Sequence, residues 1–572
     1  MRFRKTALAA LLLTTGLWAC VAKDDQAGPA NFARAWCISG GPIYTAVDES
    51  PQVEAVAIRK GVITYAGTDT GEWCKDFAGA NPKKIDLANA AAYPGFTDAH
   101  GHLIGIGFRE MTLNLEGTKS IEDLKKKLAA VVAETPEGET IYGRGWIETH
   151  WPEGRFPNRN DLDNVTTEHR VILERADGHA SVVNSLTLAD SNISDETENP
   201  FGGAINRDAN GKATGMLIDK AANLVQPLMP RETTERKREA YITGAKLYAE
   251  RGWTNIHSMS VDPADIPLLN ELARNRKLKI RVYNSLDLLP SRGTQAMSNM
   301  DKLKDFENQL VTTRAIKLYA DGALGSRGAA LLAPYSDDEK NSGLMLLKED
   351  QANAILNAAL RNGTQVNTHA IGDRANRMVL DWYEAAFDRV PKSQWAEQNP
   401  RWRIEHSQII EPSDIPRFVE LGVIPSMQPS HAIGDLHFAP DRLGKDRLAG
   451  AYAWRALIDS GSIIAGGSDA PVEVGDPRIE FYAATQRKDL KGFNNEDWNE
   501  EQKVTPQEAL KMFTIWPAYA AFEEDKTGSI EVGKQADISI FDTDFMTATG
   551  DEILASKPLV TMVNGRLAYD GR

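Results

Sequence analysis

The stretch Tyr93-Pro-Gly-Phe-Thr-Asp-Ala-His-Gly-His-Leu103 decides how the rest of the chain is read. An apolar run ends at Pro94 and Gly95 and re-enters extended geometry. Asp98, His100 and His102 then fall at alternate positions, on one face of a strand. Two imidazoles at a strand end converge on one point and suit a transition-metal ion. A bare His-x-His is equally compatible with two polar residues closing a surface turn, so the remaining sequence has to choose.

Outward from it, apolar β-rich runs recur with helical stretches between them. They span Trp253 to Met259, Lys279 to Leu286, Arg314 to Asp321, Thr364 to His369, Trp402 to His406, Val423 to Gln428 and Ser462 to Asp469. With the opening run from Tyr93 to His100 they make eight. Strands alternating with helices predict an α/β chain with a parallel sheet, and eight of them predict a closed (β/α)8 barrel of the TIM type. The barrel is expected over residues 93–525, with a large insertion after strand one at about 109–250. Short alternating segments at 35–92 and 526–572, the second with an Asn564-Gly565 turn, predict one flanking β-sandwich built from both chain ends.

The chain has 572 residues, 42% hydrophobic and 25% charged, which is ordinary globular composition. Its formal net charge of -15, without a basic patch, argues against nucleic acid as a partner. Residues 1–19 read as an export signal: Met-Arg-Phe-Arg-Lys, an apolar core from Ala7 to Trp18, then Ala19-Cys20. Leu17-Trp18-Ala19-Cys20 resembles the bacterial lipobox, whose cysteine is lipidated and anchors the mature protein to a membrane. The other reading is an ordinary secretory signal. Residues 20–34 read as a tether. Either way the body is expected outside the cytoplasm, in the periplasm or on the outer membrane. Cys37 and Cys74 are compatible with a disulfide there and equally with two buried thiols.

A barrel places its chemistry at the C-terminal ends of its strands, and ligand-type residues recur there. His100 and His102 end strand one, Lys317 lies on strand four, His369 ends strand five, His406 ends strand six and Asp469 ends strand eight. Alternation aims Lys317 and Asp321 the same way. His150, His169, His257, His431 and His437 read as hydrogen-bonded packing residues, although His257 and His431 sit at or just past strand ends. In the insertion, Trp146, Trp151 and Arg155 either line an apolar substrate pocket with a cationic edge or form the insertion's own core.

With these motifs the chain resembles the amidohydrolase superfamily, in particular its exported family three branch of N-substituted formamide deformylase-like and exoenzyme-regulator-like proteins. The matching segments are Pro94 to His102, Arg175-Ala-Asp-Gly-His179, Lys317-Leu-Tyr-Ala-Asp-Gly322, His369-Ala-Ile-Gly-Asp373, Arg403-Ile-Glu-His406, Gly467-Ser-Asp-Ala-Pro471 and Gly528-Ser-Ile-Glu-Val-Gly533. The resemblance implies one or two divalent ions, zinc foremost. His100, His102 and Asp469 would hold one ion, His369 and His406 the other, and a carboxylated Lys317 would bridge them, since an ammonium has no lone pair to give.

The implied reaction is hydrolysis of a carbon-nitrogen bond in a linear, non-peptide amide by metal-bound hydroxide, with Asp469 as general base and then acid. His179 would hydrogen-bond the substrate carbonyl or the developing oxyanion, while Asp321 would orient Lys317 or the substrate. The Gly-Trp-Asp of many relatives reads Gly145-Trp146-Ile-Glu148 here, which weakens a substrate role for Trp146. Two alternatives stand beside this one: a deaminase or esterase-like hydrolase on the same barrel, and a non-catalytic exported binding lipoprotein. Oligomeric state is not legible in the sequence.

Overall fold

A computed structural model describes residues 35–572 apart from 149–150, 176–179, 201–202, 231, 288–309 and 495–497. The export signal, Cys20, the tether, His150 and His179 therefore lie outside the described residues. Eight parallel strands form the central sheet: β1 (Phe96–Gly101), β2 (Trp253–Val261), β3 (Arg281–Asp287), β4 (Val311–Tyr319), β5 (Gln365–Ala370), β6 (Arg403–His406), β7 (Ile424–Met427) and β8 (Ala465–Gly466). They pair in sequence order from β1 to β8. The circle is nearly closed. β8 has only two residues, and the seam to β1 is carried by single bonds past its end: Asp469 N–H donates to the His100 carbonyl at 2.6 Å, and His102 N–H to the Ala470 carbonyl at 2.8 Å.

The opening run is two strands, which corrects the sequence expectation of one. Ala91–Pro94 pairs antiparallel with Ile538–Phe541 in a separate sheet, and the barrel strand starts only at Phe96. Gly95 divides them. A Cβ there would lie 2.3 Å from Thr254 Oγ1, so no larger residue can make the turn between the two sheets.

The expected sandwich is a single eight-stranded mixed sheet drawn from both chain ends. It curls until Ile63 N–H reaches the Lys534 carbonyl at 2.9 Å and Trp36 Nε1 reaches the Gly565 carbonyl at 3.0 Å. Ile38, Val56, Ile58, Ile538, Ile540 and Met562 fill its core. Cys37 and Cys74 form a disulfide at its margin, which decides between the two readings the sequence left open.

After β1 the chain runs through the helix Leu103–Glu110 into a six-stranded sheet between Leu113 and Asp219. It returns along the helix Thr234–Arg251, which packs on Leu103–Glu110. A Cβ at Gly107 would lie 1.8 Å from the Ala240 carbonyl, so the absent side chain is what lets these two helices touch backbone to backbone. No described helix is long and apolar enough to cross a membrane.

The barrel floor is joined to the flanking sheet by a buried ion pair. Arg281 Nε meets Asp537 Oδ2 at 2.5 Å and its Nη2 meets Oδ1 at 3.1 Å. Removing one partner strands a buried charge. Arg281→Met is expected to lower unfolding stability by about 3–5 kcal/mol, read as a shift of the urea midpoint at constant slope; a shift within error would show the pair to be inert.

Candidate metal centre

The ligand-type side chains meet at the C-terminal mouth of the barrel. His100 ends β1, His102 lies one residue past it, and His406 closes β6. Asp469 follows β8 by three residues. His406 and Asp469 both hold left-handed backbone, with φ of 76° and 61°, a conformation that non-glycine residues keep only where the surroundings force it.

Candidate ligand atoms of His100, His406 and Asp469 all lie within 4.8 Å of one another. His102 Nε2 is 3.0 Å from Asp469 Oδ1 and His100 Nε2 is 3.5 Å from the same oxygen. Lys317 Nζ approaches His100 Nε2 at 3.3 Å. The His369 ring sits 4.6 Å from that of His406, centroid to centroid. Its Nε2 is turned to Asp321 Oδ1 and the Gly322 carbonyl, 3.5 Å from each, which leaves Nδ1 as its free nitrogen.

The far nitrogen of each of the other three imidazoles is engaged. His100 Nδ1 meets Glu405 Oε2 at 2.5 Å, His102 Nδ1 meets the Met259 carbonyl at 3.2 Å, and His406 Nδ1 meets Gln428 Oε1 at 2.8 Å. Each contact makes Nδ1 the protonated nitrogen and presents Nε2, with its lone pair, to the centre. Outer partners of this kind are what orient histidine ligands.

Glu405 is itself held by Arg403, whose Nε lies 2.8 Å from Oε1. Arg403 also donates to the Ala99 carbonyl, Ser426 Oγ and His257 Nδ1. The whole arrangement is shut off from solvent beneath the mouth.

Burial sets the protonation states. It lowers His100 to about 4 and His369 to about 3, helped in both by the Lys317 charge, so both rings are neutral near pH 7. His406 is pushed well down by burial and by His369 and His100. Burial also lowers Lys317, against the pull of Glu405 and Asp469. For Asp469 burial acts upward, but the imidazoles of His100, His102 and His406 outweigh it and keep the carboxyl well below the usual range. Neutral imidazoles beside an ionised carboxylate, with outer partners already in place, fit a divalent transition metal.

Other expectations are revised. Asp98 does not share the ligand face: Oδ2 accepts the Ser468 and Tyr248 hydroxyls at 2.6 and 2.8 Å, and Oδ1 accepts the N–H groups of His100 and Ser468. Asp321 does not reach Lys317. Its carboxylate takes three backbone N–H groups, from Ala330, Ile371 and Gly372, and pins the loops after β4 and β5. Trp146 is fully buried in the insertion, with Nε1 donating to the Leu173 carbonyl. Arg155 pairs with Asp161 at the surface. Trp151 does border a cleft of about 770 Å³ between insertion and barrel, with Phe108, Ile147, Pro471 and Val472.

The sequence reading missed Glu405, Arg403 and Gln428 as supports, and it assigned His431 to packing. His431 Nε2 instead lies 3.6 Å from Asp469 Oδ2. The available signal was position, since Gln428-Pro-Ser-His431 begins where β7 ends. His169 and His437 are hydrogen-bonded away from the mouth, and His257 lies beneath it.

Such a constellation at the mouth of such a barrel defines a class, the metal-dependent hydrolases. The profile described as "Amidohydrolase family" matches residues 83–569, and the chain belongs to that family. It is similar to a putative amidohydrolase, YtcJ, of Bacillus subtilis (strain 168), 31% identical over 93% of this chain and 98% of the relative. It is also similar to an N-substituted formamide deformylase of Arthrobacter pascens, 26% identical over 90% and 95%. Among solved structures it resembles an uncharacterized metal-dependent hydrolase from Pyrococcus horikoshii OT3, with a TM-score of 0.73 and 25% identity over 90% of this chain and 99% of that one.

Because Glu405 fixes the His100 tautomer, Glu405→Gln is expected to weaken metal binding by about 10- to 100-fold. Competition titration with a metallochromic chelator measures it, and unchanged affinity would remove Glu405 from the site.

Proposed function

We propose that the protein cleaves the carbon-nitrogen bond of a linear, non-peptide amide. One observation carries this reading: Asp469, its carboxyl held well below the usual range, keeps Oδ1 toward His100 and His102 and leaves Oδ2 3.6 Å from His431 Nε2. A divalent cation held by His100, His102, His406 and Asp469, with His369 beside them, would supply Lewis acidity toward a water and the amide carbonyl. Asp469 takes the proton of the attacking water and delivers it to the departing nitrogen, acting as base and then acid. An amine departs poorly as an anion, so that second transfer is what makes the bond cleavable.

Lys317 belongs to the same reading. Once deprotonated, its amine would take up carbon dioxide with loss of a proton to give a carbamate, an anionic oxygen ligand that would help hold a second divalent ion; zinc is the favoured metal. Single-metal deaminases of the superfamily lack this lysine, and the intact ligand set argues against a non-catalytic binding role. The name of the Arthrobacter pascens relative, a formamide deformylase, supports small formyl or acyl amides as the substrate class. The Cys37–Cys74 disulfide supports export, with lipidation of Cys20 as the anchor.

Chelation is expected to abolish cleavage of a formamide and acyl-amide panel, with zinc restoring it. In the zinc-loaded protein Asp469→Asn should lower kcat by about 10²- to 10⁴-fold. Full zinc loading with no cleavage anywhere on the panel would sink the reading. Lys317→Ala should lower bound zinc from two ions to one; unchanged stoichiometry and rate would restore the deaminase alternative.

A further inference from the structure

His431 does nothing for packing that a phenyl ring would not do, yet its hydrogen bonding is specific. It lies on the short helix Pro429–Asp435 that starts directly after β7, more than nine-tenths buried. Its ring stacks on that of His406, 5.8 Å between centroids and 17° between planes. Gln408 Nε2 donates to His431 Nδ1 at 2.9 Å. An amide nitrogen has only protons to offer, so Nδ1 must accept and the imidazole proton must sit on Nε2. That Nε2–H has no hydrogen-bond partner among the described residues. Asp469 Oδ2 lies 3.6 Å from Nε2, beyond bonding range.

A buried donor left without a partner is costly, and this one lies beside Asp469 Oδ2. Gln408 is buried too, and its backbone carbonyl accepts from Tyr452 N–H at 2.6 Å, which anchors the residue that carries the amide.

We propose that His431 is a catalytic residue that donates its Nε2–H to the oxygen of the scissile carbonyl and to the oxyanion formed from it. This rests on the amide-cleaving reading and adds to it a donor for the developing charge. A preformed donor of this sort acts where negative charge grows, so it lowers the barrier more than it tightens substrate binding. The geometry also selects substrates: the scissile group must present its oxygen toward β7 while its nitrogen reaches Asp469 Oδ2.

The test compares His431→Phe with His431→Gln, whose side-chain amide nitrogen can occupy the place of Nε2. Both are assayed zinc-loaded, for amide cleavage and for binding of methylphosphonate, a tetrahedral oxyanion, by calorimetry. His431→Phe should lower kcat by about 10²- to 10³-fold, with KM changed by no more than about threefold. It should weaken methylphosphonate by at least about tenfold, and His431→Gln should regain most of both losses. Equal methylphosphonate affinity in all three proteins, or loss of zinc from both variants, overturns the assignment. If the wild type cleaves no amide, the substrate reading falls while the methylphosphonate ratio still decides for or against His431. In the metal-free protein, nitrogen-15 spectra should show the Nε2–H tautomer at His431; an Nδ1–H tautomer overturns it.

Discussion

The carboxylate of Asp98 is the knot on which the site depends. An eight-strand barrel must close, and here the closing strand is two residues long, too short for a hydrogen-bonded ladder to hold the seam. Asp98 supplies what the ladder lacks. One oxygen gathers the N–H groups of His100 and Ser468, and the other gathers the hydroxyls of Ser468 and Tyr248. The backbones that carry His100 and Asp469 are thereby locked to each other and to the helix Thr234–Arg251 outside the barrel. Burial lifts this carboxyl to about 6, against the four hydrogen bonds it receives.

Around that knot the ligand set is organised in layers. The imidazoles face one centre because Glu405, Gln428 and the Met259 carbonyl hold their far nitrogens. Glu405 in turn is ionised because Arg403 outweighs the burial that would neutralise it. Charge is thus balanced below the mouth before any cation arrives. The polar cost of burying Glu405 is met by geometry that also fixes a tautomer, so one ion pair serves both stability and ligation.

Much of this was legible in the chain. The eight apolar runs, their order and the recurrence of histidine at their ends follow from period-two patterning and from the rule that barrels work at one edge. Less was legible where tertiary contact overrides local pattern. Alternation placed Asp98 on the ligand face, but the irregular register between β1 and β2 turned it outward to Tyr248. Asp321 looked like a partner for Lys317, yet three backbone N–H groups from distant loops claim it. His431 carries only the weak signature of its place just past β7. Its importance comes from Gln408 behind it and Asp469 in front, residues 23 and 38 positions away, which no window of sequence connects.

The single residue Gly95 joins a strand of the flanking sheet to the first strand of the barrel, and the partner of that flanking strand is Ile538–Phe541, near the other end of the chain. While the polypeptide is being synthesised, Ala91–Pro94 therefore waits with one edge unsatisfied until almost the last segment emerges. The strand ahead of the barrel thus gains its second neighbour only when the C-terminal segment adds itself alongside. A chain cut short near residue 530 would lack both that neighbour and Asp537, the partner of Arg281 at the barrel floor.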